Sequence, residues 1–389
     1  MTFQLNEELE VLKKQHLKRA LRRMETACEA ETSVEGKRLL LFSSNNYLGL
    51  ANDERLKQAA VSAINEFGVG SSGSRLTTGN MLIHEQLEQE IASWKQTESA
   101  LLFSSGYLAN IGTISALMGK GDLIISDELN HASIIDGCRL SKAKTLVYQH
   151  VNMKDLRNKL KESVQYRRVL IVTDGVFSMD GNIAPLREIV DQAEEFGAWV
   201  MVDDAHAAGV LGKHGRGTVE HLGLEGRVQL QVGTLSKAVG TEGGFVAASE
   251  EVIDYLKNHA RSFIFQTALP PGTIGATRSS IQIIQQELER RMHLKALSDF
   301  FRSQLEEAGF DVVKGETPII ALVIGESERA LGFSKRLEEE GVFAPAIRPP
   351  TVPVGSSRIR FTLMATHTRE QVKKAVDKVV MIGKELNVI

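Results

Sequence analysis

Four short apolar runs, at residues 99–103, 122–126, 169–173 and 199–202, constrain the fold of this chain more than any other feature. Each is rich in β-branched or aliphatic residues, stops at a polar tip and gives way to a helical pattern. Continuous apolar runs of this length read as strands buried on both faces. Strands linked through helices are parallel, so the pattern predicts right-handed βαβ units and a mainly parallel sheet. A further strand is predicted at 227–234, leading into a glycine-rich turn, Gly240 to Gly244. Such a sheet takes ligands at the carboxyl ends of its strands. Gly106, His131, Ser178, Asp203 and Lys237 all fall there.

The richest of these ends is Asp203-Asp204-Ala205-His206, with Leu235-Ser236-Lys237 arriving from the next strand. An aspartate and a lysine on neighbouring strand ends are the pair that pyridoxal phosphate needs, an anion beside the pyridine nitrogen and an amine for the aldehyde. Other readings remain open at this point. Asp203 is equally readable as a helix N-cap, Asp203, Asp204 and His206 as divalent-metal ligands, and Lys237 as one of many solvated lysines.

Composition narrows the field. With 389 residues, 42% hydrophobic and 24% charged, the chain can bury a large core. A net charge of −3 from 46 basic and 49 acidic residues gives no electrostatic case for nucleic acid or an anionic membrane. No apolar run reaches the ~18 residues of a spanning helix, and the polar N-terminus lacks the apolar core of a signal peptide, so a cytoplasmic enzyme is expected. Cys28 and Cys138 fit neither a disulfide framework nor a zinc site and read as packing residues in a reducing compartment.

Leu5, Leu9, Leu12, Leu17, Leu21 and Met24 recur at near-helical spacing, which predicts an amphipathic helix over residues 6–24 with a basic face of Lys18, Arg19, Arg22 and Arg23. Loops are expected at 43–50 and in the glycine- and serine-rich stretch 68–75. Strand, small residues and helix around Ser104-Ser105-Gly106-Tyr107 can offer backbone N–H groups to a phosphate, with Tyr107 against a ring. The double proline at 270–271 is a candidate boundary. Beyond it come one long helix through Ile281, Ile284 and Leu288 to Leu297, then a small α+β region with strands at 319–323 and 358–363 and a proline-stiffened loop, Ile347 to Pro353. The expected division is an N-terminal helix and arm (1–45), a large cofactor-binding domain (46–275) and a small C-terminal domain (276–389).

Five motifs carry a resemblance: Asn45-Asn46-Tyr47-Leu48-Gly49-Leu50, Asn130-His131-Ala132-Ser133-Ile134-Ile135-Asp136-Gly137, Asp174-Gly175-Val176-Phe177-Ser178-Met179-Asp180-Gly181, Val202-Asp203-Asp204-Ala205-His206 and Gly233-Thr234-Leu235-Ser236-Lys237. Together they resemble the α-oxoamine synthases, over nearly the whole chain. The resemblance implies the α/β architecture of fold type I pyridoxal phosphate transferases, a homodimer, and a decarboxylating condensation of an amino acid with an acyl thioester. It implies that Lys237 is the Schiff-base lysine, that Asp203 partners the pyridine nitrogen, that His206 bonds the ring hydroxyl and that His131 stacks on the ring and meets substrate. Gly106, Tyr107, Ser178 and Thr234 would hold the phosphate or ring, and Thr267 would reach the neighbouring subunit's phosphate. Asn45 and Arg360 would meet the amino acid. Ile347 to Pro353, with Arg348 and Thr351, and the N-terminal arginines resemble the members that join L-alanine to a pimeloyl thioester. Arg22 is the candidate for the far acyl carboxylate, with Arg23 as the alternative. Members that acylate glycine with an acetyl thioester, and a catalytically silent protein that only senses the cofactor, are the competing readings; no metal is implied.

Overall fold

The computed structural model describes residues 5–15 and 17–389, which form two compact units. The larger contains residues 48–178 and 183–292. It is built on a seven-stranded sheet: β1 (Ser99–Phe103), β2 (Leu123–Asp127), β3 (Lys144–Tyr148), β4 (Val169–Asp174), β5 (Trp199–Asp203), β6 (Leu230–Thr234) and β7 (Gly244–Ala248), in the order β1-β7-β6-β5-β4-β2-β3. All pairings are parallel except the two made by β7, which runs against both β1 and β6. The mainly parallel sheet is as predicted. Its two faces are covered by separate apolar clusters, one with Ile124, Val172, Met201 and Val232, the other with Ile125, Ile171, Val200 and Val202. Alternate residues of one strand therefore enter opposite cores, which is why these runs read as continuously apolar.

The sequence reading omitted β3. This edge strand leaves residues 144–147 exposed or half-buried and buries only Tyr148, so it lacks the continuous apolar run of the central strands. The 227–234 run shortens to Leu230–Thr234, because the Gln229 side chain accepts from Val200 N at 2.8 Å and replaces a ladder contact.

The double proline opens a helix instead of closing a domain. Pro271 is the first residue of the Pro271–Gln286 helix, where its missing N–H costs nothing. That helix stays in the larger unit, packed closely on the Glu54–Phe67 helix: a Cβ on Gly275 would stand 2.6 Å from Ala63 Cβ. The predicted long helix breaks at Glu287, and a second helix, Leu288–Glu307, follows. The division between the units falls after Met292 rather than near residue 275.

The smaller unit gathers the described residues up to Tyr47 with 179–182 and 293–389, so the N-terminal arm and the C-terminal region form one unit. Lys37–Leu41 pairs antiparallel with Glu31–Val34 and parallel with Val342–Phe343. Ser357–Thr362 lies between Ile319–Gly325 and Ala346–Ile347, antiparallel to both. Phe42 stacks on Phe301 at 5.5 Å and on His367 at 4.5 Å in its core.

The N-terminal helix is shorter than the apolar spacing predicts. It covers Leu5–Lys14, and Leu17 N and Lys18 N close it by donating to Leu12 O. Beyond, the chain is drawn into extended pairing: Met24 bridges Val34 and Glu25 N donates to Ser33 O at 2.8 Å. Leu21 is 99% exposed, so the helical period there is not used for packing. His16, between the two, lies outside the described residues.

Candidate active site

Parallel strands in register place their last residues along one edge, and here that edge collects the polar groups. A cavity of about 190 Å³ opens there, lined among others by Gly106, Tyr107, Asn110, His131, Asp174, Ser178, Asp203, His206, Thr234 and Lys237. The sheet thus brings together eight of the sequence-predicted positions from the ends of five strands. Thr267 is not among them. It is exposed, and its carbonyl accepts from Ser104 Oγ at 3.3 Å.

Asp203 closes β5 on the cavity face. Its Oδ2 accepts from Asn110 Nδ2 at 2.6 Å and its Oδ1 from Ala205 N at 2.9 Å, so both oxygens are fixed by donors. Asp204 points the other way, into a fully buried ion pair with Lys95 at 3.0 Å, and accepts from Thr218 Oγ1 at 2.5 Å. No Cβ fits at Gly217, where it would meet Asp204 Oδ2 at 2.0 Å. The acidic pair is therefore one site carboxylate and one structural carboxylate. Among the described residues no group of His, Cys, Asp or Glu side chains is arranged to hold a metal ion.

His131 caps the Ala132–Ser141 helix. Its Nδ1 accepts from Ser133 N at 3.3 Å, so Ser133 Oγ, 2.8 Å away, donates to it and the remaining ring proton sits on Nε2. Asn110 Nδ2 donates to that same Ser133 Oγ at 2.9 Å as well as to Asp203. One buried amide therefore ties the imidazole to the aspartate. Burial lowers the His131 pKa and the Lys237 ammonium lowers it further, against Asp203, which raises it. The imidazole is thus neutral around pH 7. Tyr107 meets His131 edge-on, with ring centroids 6.5 Å apart, and its hydroxyl donates to Asp136.

Thr234 Oγ1 donates to Gly243 O at 2.9 Å and accepts from Ser236, which pins the turn that carries Lys237. Gly106 opens the Gly106–Leu117 helix above it; a Cβ there would stand 3.0 Å from Thr234 Cβ, so the helix start and the β6 end are in close approach. Ser105 caps this helix by accepting from Leu108 N, leaving the first turn facing the cavity.

An aldehyde-bearing hydroxypyridine phosphate requires an amine, an anion for its ring nitrogen, a polar partner for its hydroxyl, a flat face and a cradle of N–H groups. Lys237, Asp203, His206, His131 and the Gly106 helix start supply that set in one cavity, so the residues present fit the group. Asn110 Oδ1 is buried there with no hydrogen-bond partner, as expected of a wall built around something polar.

Two residues of the cavity wall have no role in the sequence-based expectation. Asn110 carries the network but announces itself only as the one amide inside an apolar helix, one turn after Gly106. Asp174 was seen as a motif letter, without a role.

In the smaller unit, Arg360 is buried, with Nη2 donating to Asn45 Oδ1 at 3.3 Å and to Tyr47 Oη at 3.5 Å. Residues 45 and 360, both predicted to meet an amino acid, are thus neighbours. Arg348 and Thr351 sit in the Ile347 to Pro353 loop, where Thr351 N donates to Arg348 O at 3.0 Å. The guanidinium of Arg348 makes no side-chain hydrogen bond or ion pair among the described residues. Arg22 departs from expectation. It is on an extended segment, not a helix face, and its fork is taken by Glu338, at 2.9 and 3.0 Å, and Glu35, at 2.9 Å. Arg23 pairs with Glu25 at 2.8 Å.

Comparison with known proteins matches this arrangement. Residues 37–379 match the family described as aminotransferase class I and II. The chain is 57% identical to the 8-amino-7-oxononanoate synthase of Lysinibacillus sphaericus over 389 residues, the whole of both chains. Among solved structures, serine palmitoyltransferase with PLP superposes at a TM-score of 0.95 with 33% identity, covering 99% of this chain and 98% of that one. The 8-amino-7-oxononanoate synthase of Francisella tularensis superposes at 0.78 with 29% identity, covering 90% and 99%.

Proposed function

Because the chain belongs to the class I and II aminotransferase family and, within it, to the 8-amino-7-oxononanoate synthases, pyridoxal-phosphate-dependent acyltransferases, we propose that it joins L-alanine to a pimeloyl thioester. Carbon dioxide and the thiol leave, and 8-amino-7-oxononanoate, a biotin precursor, remains. The observation that carries this reading is the convergence of Lys237, Asp203, His206 and His131 on one cavity at the sheet edge. The bound cofactor supplies an electron sink for charge at the α-carbon of the amino acid.

The chain's own residues account for the rest. Lys237 Nζ would hold the cofactor's aldehyde and, once the substrate's amine has displaced it, would be free to act as base for the α-proton. Asp203, held by Asn110 and Ala205, would set its carboxylate against the ring nitrogen. His206 bonds the ring hydroxyl. His131, kept neutral by burial, would pack against the ring without adding a second positive charge there. The Gly106 helix start, Tyr107, Ser178 and Thr234 hold the phosphate and ring edges. Arg360 and Asn45 take the alanine carboxylate and its surroundings, a charge-assisted fork that a neutral residue would not replace.

The far carboxylate of the acyl chain is assigned to Arg348, with Thr351 beside it. Arg22 is the weaker candidate, because Glu338 and Glu35 already satisfy it. The working form is a cytoplasmic homodimer in which Thr267, exposed on its own chain, reaches the phosphate of the neighbouring subunit. Lys237→Ala chains mixed with Thr267 mutants should then give hybrids whose activity differs from the sum of the parents.

The test of the reaction is a matrix of alanine and glycine against pimeloyl, acetyl and succinyl thioesters, following thiol release. Alanine with pimeloyl thioester should turn over best. Preference for glycine with the acetyl thioester would replace this function with an acetyltransferase.

A further inference from the structure

Asp174 and Asp203 are the paired ends of adjacent parallel strands, with Asp174 in register with Asp203 across β4 and β5. In-register residues of neighbouring strands project from the same face about 5 Å apart. Two carboxyl groups, 5% and 6% exposed, therefore stand side by side on the wall of one cavity. Like charges on adjacent strand ends in a desolvated site repel, which favours a proton on the group with fewer donors.

The donor count is unequal. Asp203 takes a side-chain amide on one oxygen and a backbone N–H on the other. Asp174 takes one backbone bond, from His131 N to its Oδ2 at 3.0 Å. We propose that Asp174 is a positioning residue that carries the proton of this carboxyl pair, holding His131 by its main chain while leaving Asp203 as the single charge on the cavity wall. This inference rests on the cofactor site described above.

The charged and titratable groups facing Asp174 act in both directions. Asp203 on β5 and Asp127 on β2 oppose its ionisation, as does burial, the largest influence; Lys237 and the His131 N–H favour it, and the outcome is a carboxyl pKa well above the ordinary range. Asp127 is itself hydrogen-bonded to His150 Nδ1 at 2.9 Å. Burial, with Asp127 and Asp174 adding to it, raises the pKa of the Tyr148 hydroxyl at the end of β3, which stays neutral. His131 is neutral, and His206 lies across the cavity. A raised carboxyl pKa means that the folded protein holds the proton after the unfolded chain would have released it. The favourable state is then lost as pH rises through the folded pKa.

The experiment compares wild type with Asp174→Asn and Asp174→Leu, each as apoprotein and after loading with pyridoxal phosphate. The infrared carbonyl stretch of a protonated carboxylic acid should be present near neutral pH in wild type and missing in Asp174→Asn. Asparagine still accepts from His131 N, so cofactor affinity should stay within about tenfold. Its visible spectrum should also lose the alkaline change that wild type shows when the second carboxyl ionises. Leucine strands the His131 N–H and should weaken cofactor binding by roughly ten- to a hundredfold. A carboxylic acid band that survives in Asp174→Asn, or an alkaline spectral change that is the same in both proteins, overturns the inference. Wild type that shows the band yet takes up no cofactor would instead overturn the reading of the site and leave the carboxyl pair standing.

Discussion

Asp203 and Asp204 are consecutive, both are buried and both are acidic, yet they belong to regions with opposite purposes. On one side of the β5 end, Asp203 faces a cavity with hydrogen-bonding capacity left over, including the unpartnered Asn110 Oδ1. On the other, Asp204 is closed in by Lys95, the Thr218 N–H and hydroxyl, and a glycine with no room for a Cβ. The lesson is that a buried charge marks a functional site only where its partners leave something unmet. A charge fully matched by fixed partners stabilises or specifies the fold.

The largest effect that sharpens this contrast is on stability. Asp204→Ala leaves the Lys95 ammonium buried without its carboxylate and should cost ~3–5 kcal/mol, read as a lowered urea midpoint. Any protein that folds should still bind the cofactor. The mirror experiment is Asp203→Asn, which keeps the shape and removes the charge. Turnover should fall roughly 10²- to 10³-fold, as for loss of one preorganised electrostatic partner, while the urea midpoint stays near wild type. If Asp203→Asn unfolded the protein and Asp204→Ala silenced it without destabilising it, the two roles would be exchanged. The smallest effect is Thr218→Val, which removes one hydrogen bond to a charged group and should cost ~1.5–3 kcal/mol in the same denaturation measurement, with catalysis retained.

The same contrast explains what could be read from the sequence. Strand ends are legible because β-branched runs and polar tips are local signals, and they located His131, Asp203, Thr234 and Lys237 correctly at one sheet edge. The pairing of Asn45 with Arg360 came from a resemblance alone, since nothing local links two residues so far apart in the chain. Asn110 was missed because its importance lies in what it touches, Asp203 and Ser133, neither of which is near it in sequence. Lys95 was missed for the same reason: at a helix end a lysine is ordinarily solvated, and only tertiary packing buries this one. The N-terminal helix was overread because periodicity registers spacing and not burial. Residues 22–25 follow the spacing while their backbone is engaged by the Glu31–Val34 strand.

The central claim is that the cavity at the strand ends holds pyridoxal phosphate through one particular amine. Loading the protein with the cofactor, reducing it with borohydride and mapping the modified peptide tests that claim directly. The account predicts a single pyridoxyl group on Lys237, and no reducible attachment in Lys237→Ala although the variant still folds. A pyridoxyl group on Lys95, Lys213 or any other lysine, or undiminished attachment in Lys237→Ala, would contradict it.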